Sequence, residues 1–435
     1  MVELRKRIES HAAHVAVMGQ GYVGLPLAIE FAKAGFSVTG IDLDAEKVAA
    51  LNRGVSHIPD VPTEIVRELV ASKRYRATTA MDALGESDAV IICVPTPLRK
   101  AKDPDISFVL SATTEVKKRL RTGQLVVLES TTYPGTTEEM LLPMLEESGL
   151  RVGRDFFLAF SPERIDPGNE QFKVKDIPKV VGGITPECTH MTAVLYSQIV
   201  SRVLEVSSPT VAELAKLYEN TFRSVNIALA NEFALMCRYL GSSVWEVIEA
   251  AATKPFGFMP FSPGPGIGGH CIPIDPIYLS WKLRLNGYEA RFIALADEIN
   301  RGMPHQVIAL LMDGLNARKK CLNGARLLML GVAYKRGVGD LRESPALDVM
   351  KELIAKGADL TYADPFVPNL ASEGLAEIPR VSLTPELVRR QDAVVVLTDH
   401  REFDYRLVVD HADFVVDSRN ATRGLPAPHG RIVRL

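Results

Sequence analysis

Cysteine is scarce in this 435-residue chain: Cys93, Cys188, Cys237, Cys271 and Cys321 make an odd number and form no CxxC pair. That excludes a disulfide framework and a structural zinc site, so reduced thiols and no bound metal are expected. An excess of basic charge is also missing. The 50 Lys plus Arg stand against 53 Asp plus Glu, which removes the electrostatic footprint of a nucleic-acid binder or of a protein held on an anionic membrane. No apolar run reaches the ~20 residues a bilayer span needs. Arg5, Lys6 and Arg7 open the chain without a hydrophobic stretch behind them, so a cytoplasmic address is the default. What remains is an ordinary globular composition, 47% hydrophobic and 24% charged, in a chain too long for one core. Small molecules and further copies of the chain are the expected partners.

What is present is a repeated strand–helix grammar. His14 to Met18 is a short apolar run, Leu25 to Gly35 reads as a helix closed by glycine, and Ser37 to Asp42 is a second strand. Strands at Asp88 to Val94 and Gln124 to Glu129 flank a helical Phe108 to Leu120. Alternation of this kind predicts an α/β fold with a parallel, doubly wound sheet. The pattern returns near the other end: strand Arg326 to Leu330, helix Pro345 to Lys356, strand Asp359 to Ala363, then Asp392 to Leu397 and Asp413 to Val416. Similar strand composition alone is a weak argument for duplication. Between the halves, Pro209 to Gly241 runs without internal Pro or Gly and predicts one long helix, with Ser208 as N-cap and Gly241 past its end. Such a spine suits the linking of domains or subunits.

Gly19-Gln-Gly-Tyr-Val-Gly24 lies at the first strand-to-helix junction, where missing Cβ atoms admit a pyrophosphate and a helix N-terminus supplies oriented N–H groups. Asp42 ends the next strand, in place to accept from ribose hydroxyls and to repel a ribose phosphate, which favours NAD over NADP. Lys47 is read as solvated or as reaching the adenosine side. Two turns at the carboxyl ends of later strands, Val94 to Pro97 and Glu129 to Gly135, point to the same crevice; Ser130 and Thr131 either hold cofactor or water there or cap the helix near Glu138. The Gly/Pro-rich segment from Pro263 to Pro276 carries Cys271 on an open loop with Asp275 four residues on, unlike Cys93, Cys188 and Cys237, which read as small core hydrophobes. Glu213, Lys216 and Asn220 share one face of the long helix, either a solvated stripe or a Lys and amide poised over an oxyanion.

Taken in order, Gly19-x-Gly-Tyr-Val-Gly-Leu-Pro26, Ser161-Pro-Glu-Arg164, Glu213-x-x-Lys-Leu-x-x-Asn220, Gly268-Gly-His-Cys271 with Asp275, and Tyr334-Lys335 with Arg342-Glu-Ser344 resemble the UDP-glucose/GDP-mannose dehydrogenase family. The resemblance runs from Val15 to about Arg419 and is most like the branch acting on UDP-N-acetylglucosamine, and the segment Thr253 to Phe258 is similar to members acting on an N-acetylated hexose. It implies two Rossmann-like domains joined by a long central helix and a helical dimerisation region: residues 1–205 binding NAD, 206–318 carrying the cysteine loop, and 319–435 binding the UDP-sugar. It implies a four-electron oxidation in which Cys271 forms a thiohemiacetal and then a thioester. Lys216 and Asn220 would steady the oxyanion, Asp275 would assist proton transfer, and Thr131 and Glu163 would orient water. Besides Gly19, Gly21, Tyr22 and Gly24, it places Val23, Asp42, Lys47, Thr96, Thr131 and Arg342 on NAD. The nucleotide sugar would fall to Glu163, Arg164 and the loop on to Pro167, to Lys216 and Asn220, to Pro260, Phe261, Gly264 and Gly268, and to Lys335. Ile274 departs from the glucose-specific branch, where Lys commonly stands. UDP-glucose, UDP-N-acetylmannosamine and, as a two-electron alternative, a hydroxyacid remain competing substrates; the last needs neither Cys271 nor the carboxy-terminal half.

Overall fold

The computed structural model describes residues 2–99, 103–164 and 174–435. The chain forms two compact units: one holds the chain up to Glu219 together with Ile277–Gly287, the other Asn220–Pro276 and Tyr288–Leu435. Among the described residues, no helix is long and apolar enough to cross a membrane.

In the first unit eight strands, β1 (His14–Met18), β2 (Ser37–Ile41), β3 (Tyr75–Thr78), β4 (Ala89–Ile92), β5 (Leu125–Leu128), β6 (Phe157–Phe160), β7 (Lys179–Gly183) and β8 (Val203–Val206), form one sheet in the order β3-β2-β1-β4-β5-β6-β7-β8. Neighbours run parallel except β6 and β7. Side chains alternate between two cores, as the two-residue period of a strand requires. Val15, Val17 and Val38 pack with Leu27 and Phe31 of helix Gly24–Ala34, whereas Ala16, Met18 and Ile41 share a core with Val109 and Val116 of helix Ser107–Arg119. Helices thus cover both faces. Gly35, at φ 109°, closes helix Gly24–Ala34 by donating to Ala32 O while Phe36 N reaches Phe31 O, the left-handed cap that glycine allows without Cβ strain.

The second unit contains a five-stranded parallel sheet of β9 (Arg326–Leu330), β10 (Asp359–Ala363), β11 (Ala393–Val396), β12 (Val415–Asp417) and β13 (Ile432–Arg434), in the order β10-β9-β11-β12-β13. Leu327 and Met329 enter one core and Leu328 and Leu330 the other. The turn after β9, the first strand of this sheet in chain order, repeats the turn after β1 in detail. Gly19 and Gly331 both have positive φ, donate to the last residue of the neighbouring strand (Ile41 and Ala363), and approach the chain after the next strand so closely that a Cβ would strike Cys93 O and Thr398 O. The following residues, Gln20 and Val332, donate to Asp42 and Asp364. Shared hydrogen-bond geometry supports a common design for the two halves better than shared composition does.

The long helix spans Pro209–Tyr239, 31 residues, or roughly 45 Å at about 1.5 Å per residue. Its first turn is capped by Ser208 Oγ, which accepts from Val211 N at 3.3 Å, and Gly241 follows at φ 68°. A second long helix, Arg291–Ala317, lays Val307, Leu311 and Leu315 into the carboxy-terminal core. Gly314 on this helix lies against the ring of Phe414, which a Cβ would overlap. Alanine suits a helix interior better than glycine by about 1 kcal/mol; here the clash should outweigh it. Gly314→Ala is expected to lose about 1–3 kcal/mol of stability, the usual cost of overpacking, in urea unfolding followed by circular dichroism; a variant as stable as the parent would refute this packing.

Candidate active site

The glycine turn after β1 is built for close approach. A Cβ on Gly24 would overlap Gly19 O, whereas a Cβ on Gly21 would meet nothing within 4 Å, so the backbone there is open to a ligand. Behind it, Gln20 is fully buried, its amide donating to Val17 O at 2.8 Å and accepting from Tyr75 OH at 2.7 Å. Asp42 Oδ2 accepts from Gln20 N at 2.8 Å and Lys47 Nζ at 3.0 Å, and Oδ1 from Asp44 N at 3.1 Å. Burial opposes the charge on Asp42, but those two N–H groups and the Lys47 ammonium outweigh it and hold the carboxyl below its ordinary range. Each carboxylate oxygen has room for about two hydrogen bonds, so Oδ1 keeps capacity for a ribose hydroxyl. The residues therefore fit a dinucleotide. Lys47, read from sequence as solvated or turned to the adenosine, is an ion-pair partner of Asp42. Tyr22 is partly exposed, Val23 precedes helix Gly24–Ala34 without a side-chain cap, and the Thr96 carbonyl accepts from Tyr278 OH at 2.9 Å.

A second cluster forms on the turn after β5. Lys216 Nζ donates to Thr131 Oγ1 at 2.5 Å. Glu213, one turn earlier on the same helix, is almost fully buried and accepts from Gly135 N, Thr137 N and Thr137 Oγ1 at 2.6, 3.1 and 2.8 Å. The stripe on the long helix is thus not solvated; its charged face is spent on this turn. Ser130 donates to Val94 O at 2.8 Å, so neither hydroxyl caps a helix. Alongside lies a buried ionic group that the sequence did not advertise: Lys179 contacts Glu129 and, at 3.0 Å, Glu163 Oε2, with Cys93 Sγ 3.6 Å from Glu129. Burial pushes the Cys93 thiol well up, and the Glu129 charge adds to it. Arg164 forks onto Glu219 at 3.0 and 2.6 Å and donates to Pro178 O. The predicted stretch from Ile165 to Pro167 lies outside the described residues.

In the second unit the Gly/Pro segment approaches its neighbours at backbone distance. Gly269 N donates to Arg342 O at 3.0 Å, and a Cβ on Gly268 would come within 2.5 Å of Tyr334 Cβ. Cys271, partly exposed, offers its carbonyl to Ile274 N and Asp275 N at 3.1 and 2.8 Å, which starts helix Asp275–Leu285 immediately behind the thiol. Asp275 is 1% exposed, and its Oδ2 accepts from Asn220 Nδ2 at 2.6 Å. Asn220 thereby joins the cysteine loop through Asp275. Further along the same helix, buried Asn231 receives Gly264 N at 2.9 Å and donates to Asn300, which reaches Ser224 O; these amides lock the loop and had no signal in the sequence. Phe261 meets Phe222 edge to face, while Pro260 is exposed.

Arg342, assigned to NAD by resemblance, is paired with Asp340 through its Nε at 3.0 Å. Lys335 stands beside a group missed by sequence reasoning: Arg336 and Arg419 both contact Asp399, at 3.3 Å for Arg419. Burial lowers the Arg336 guanidinium, and the like charges of Arg401 and Arg419 lower it further. The head of Arg419 lies over Gly264, where a Cβ would sit 2.5 Å from Nη1. Cations crowded at the carboxyl ends of parallel strands suit a polyanion. Their signal was available only as Lys335-Arg336 and a distant Arg419, which no spacing links.

Three family models match the chain: the NAD binding domain of the UDP-glucose/GDP-mannose dehydrogenase family over residues 13–200, its central domain over 210–302 and its UDP binding domain over 328–424. The chain is 37% identical over 391 residues, 89% of it and 91% of the relative, to UDP-N-acetyl-D-glucosamine 6-dehydrogenase of Pseudomonas aeruginosa. It is equally 37% identical, over 89% of it and 90% of the relative, to UDP-N-acetyl-D-mannosamine dehydrogenase of Pyrococcus horikoshii. A solved UDP-D-ManNAc dehydrogenase from Pyrococcus horikoshii superposes with a TM-score of 0.88 at 34% identity, covering 97% of this chain and 98% of that one.

Removing the charge at Asp42 isolates its contribution to dinucleotide binding. Asp42→Asn is expected to weaken NADH binding roughly 10-fold or more, the scale of one hydrogen bond to a charged group, in a fluorescence titration. Because the native carboxyl titrates below its usual range, the contribution of Asp42 should be fully present from neutrality down to about pH 5 and fade only as pH falls through the depressed value. An unchanged affinity in the variant would count against this placement of the ribose.

Proposed function

Since the chain belongs to the UDP-glucose/GDP-mannose dehydrogenase family, whose three domains it carries in order, and is an NAD-dependent oxidoreductase, we propose that it oxidises the C6 primary alcohol of UDP-N-acetylglucosamine to the carboxylate. The observation that supports this most is the setting of Cys271: a partly exposed thiol at the head of a helix, with buried Asp275 held by Asn220 four residues on. A two-electron dehydrogenase has no use for such a thiol.

When bound, NAD accepts a hydride in each of two oxidations. Between them, the Cys271 sulfur adds to the aldehyde carbon, because a thiohemiacetal can release hydride where a free aldehyde cannot, and the second oxidation leaves a thioester. Water then adds, the C–S bond breaks, and the carboxylate departs. Each turnover consumes one alcohol, one water and two NAD, and yields one carboxylate, two NADH and three protons. Lys216 and Asn220 are assigned to the oxyanion, Asp275 to proton transfer, and Thr131 and Glu163 to the water. Lys335, with Arg336 and Arg419 added by the geometry above, is assigned to the sugar's diphosphate. The Thr253–Phe258 segment supports an N-acetylated hexose; the Pseudomonas aeruginosa relative supports the N-acetylglucosamine form, and the equal identity to an N-acetylmannosamine enzyme supports the epimer as a second reading.

We further propose a homodimer built on the long helix. Tyr218, Phe222, Leu229, Met236 and Tyr239 project from it with 73, 41, 56, 43 and 94% of their surface exposed, and Leu240 follows at 80%. Apolar side chains repeated along one exposed helix are typical of an interface awaiting a second copy.

Purified enzyme given UDP-N-acetylglucosamine, UDP-N-acetylmannosamine, UDP-glucose and GDP-mannose should yield two NADH per sugar acid, fastest with the first. A ratio of one, or full turnover in Cys271→Ser, would contradict the chemistry, whereas another preferred sugar would change only the substrate. Light scattering of the purified chain should give the mass of two copies; a single-chain mass would remove the dimer.

A further inference from the structure

The β6–β7 pair is the antiparallel one in the eight-stranded sheet, and it has a chemical consequence. Because β7 runs backwards, its first residue, Lys179, lies at the edge where β5 and β6 end. Phe160 pairs with Gly182; continuing that register three residues further sets Glu163 opposite Lys179. The Lys179 ammonium lies 3.0 Å from Glu163 Oε2 and also contacts Glu129, the residue after β5. All three side chains are buried, at 7, 8 and 0% exposure. Glu163 Oε1 accepts from Arg164 N at 2.7 Å, and the ring of Tyr196 lies 5.2 Å from Lys179 Nζ.

Burying an ammonium with two carboxylates costs desolvation that mutual attraction does not reliably repay, and apolar residues of the same volume are often at least as stable. Such a group is therefore better explained by what it orients than by what it stabilises. The charges of Glu129 and Glu163 overcome burial and raise the affinity of Lys179 for its proton, so it stays cationic.

We propose that Lys179, anchored by Glu129, is a positioning residue for Glu163, fixing the carboxylate that takes a proton from the water during hydrolysis of the Cys271 thioester. This rests on the assignment of Glu163 made above. In the step concerned, the water oxygen bonds to the thioester carbon and its proton passes to Glu163. The C–S bond then breaks with its electron pair leaving on sulfur, which receives the proton. No oxidant takes part.

Loss of the anchor should leave both hydride transfers fast and slow the release of acid. The informative variant is Glu129→Gln with Lys179→Gln: it removes one negative and one positive charge, so the buried net charge is unchanged and folding is retained as far as charge decides it. Stopped-flow mixing with NAD and the best sugar of the panel should show a burst of about two NADH per chain, followed by a steady rate slowed roughly 10- to 100-fold, the cost of misplacing a catalytic group. Mass spectrometry of acid-quenched samples should find a sugar acyl group on Cys271 that the parent enzyme does not accumulate, and the thermal midpoint of the ligand-free variant should be no lower than the parent's. Glu129→Gln alone, which leaves a neutral Lys179–Glu163 pair, should show the same pattern more weakly. Parental turnover in both variants, or a slow first hydride without adduct, would overturn the inference. A parent enzyme yielding one NADH per sugar would instead overturn the four-electron reading beneath it.

Discussion

Parallel strands covered by helices on both faces carry few polar side chains along their length, and this constraint decides where the polar groups of the two sheets lie. The strands themselves, such as Ala89–Ile92, Leu125–Leu128 and Ala393–Val396, are wholly buried and apolar. Polar groups gather where the strands stop: Asp42 after β2, Glu129 to Thr131 after β5, Glu163 after β6, and in the second unit Asp364, Asp399 and Arg419 after β10, β11 and β12. These polar groups are crowded onto the carboxyl edges of the sheets, where side chains satisfy one another because the apolar layers below offer no partners, whereas Lys216, Asn220, Cys271 and Asp275 come from helices and a loop outside the sheets. The Glu129–Lys179–Glu163 group, the Asp42–Lys47 pair and the Arg336–Asp399–Arg419 contacts are products of that crowding.

The same constraint explains what the sequence disclosed. Continuous apolar runs closed by glycine or aspartate are conspicuous, so β1, β9 and β10 are read at their observed limits, and the long helix, free of Pro and Gly, is read to within two residues of its end. Weak runs escape. Lys179–Gly183 ends in two glycines, Val203–Val206 is half exposed on the sheet's edge, and Arg291–Ala317 carries Pro304 inside a helix that tertiary packing maintains. Of the site, residues lying in dense local motifs were legible: the glycine turn, the Cys271 loop, and Lys216 with Asn220 one turn apart. Gln20, Lys179, Asn231, Asn300 and Arg419 were not, because their roles come from partners far along the chain. An isolated lysine before two valines gives no hint that two carboxylates converge on it.

The two halves also show how one backbone design reaches different ends. Asp42 and Asp364 occupy equivalent positions, yet their carboxylates are spent differently. Asp364 is fully buried and accepts from the backbone of Val332, Ala333, Phe366 and Val367 and from His400 at 3.1 Å. Those five donors exceed the usual capacity of a carboxylate, so it serves as an internal staple with nothing left for a ribose. Asp42 accepts three donors and keeps part of its surface. The first turn carries Gly19, Gly21 and Gly24, whereas the second continues from Gly331 into Val332, Ala333 and Tyr334. Dinucleotide recognition belongs to the first half on steric and hydrogen-bonding grounds.

On the four-electron reading proposed above, a single dinucleotide site serving two hydride transfers per sugar would impose an order of events. Reduced cofactor would have to leave the Gly19–Asp42 site and oxidised cofactor enter before the second oxidation, and over that interval the half-oxidised sugar would have to be kept from escaping as a free aldehyde. A covalent bond to Cys271 meets that need without tight non-covalent binding, which would also slow release of the final acid. Hydrolysis is then the step that frees both product and enzyme, and a carboxylate fixed to handle its water has more influence on turnover than one that merely binds sugar. The proposed role of the buried lysine fits that order: the desolvation it costs falls on the carboxylate assigned above to the water.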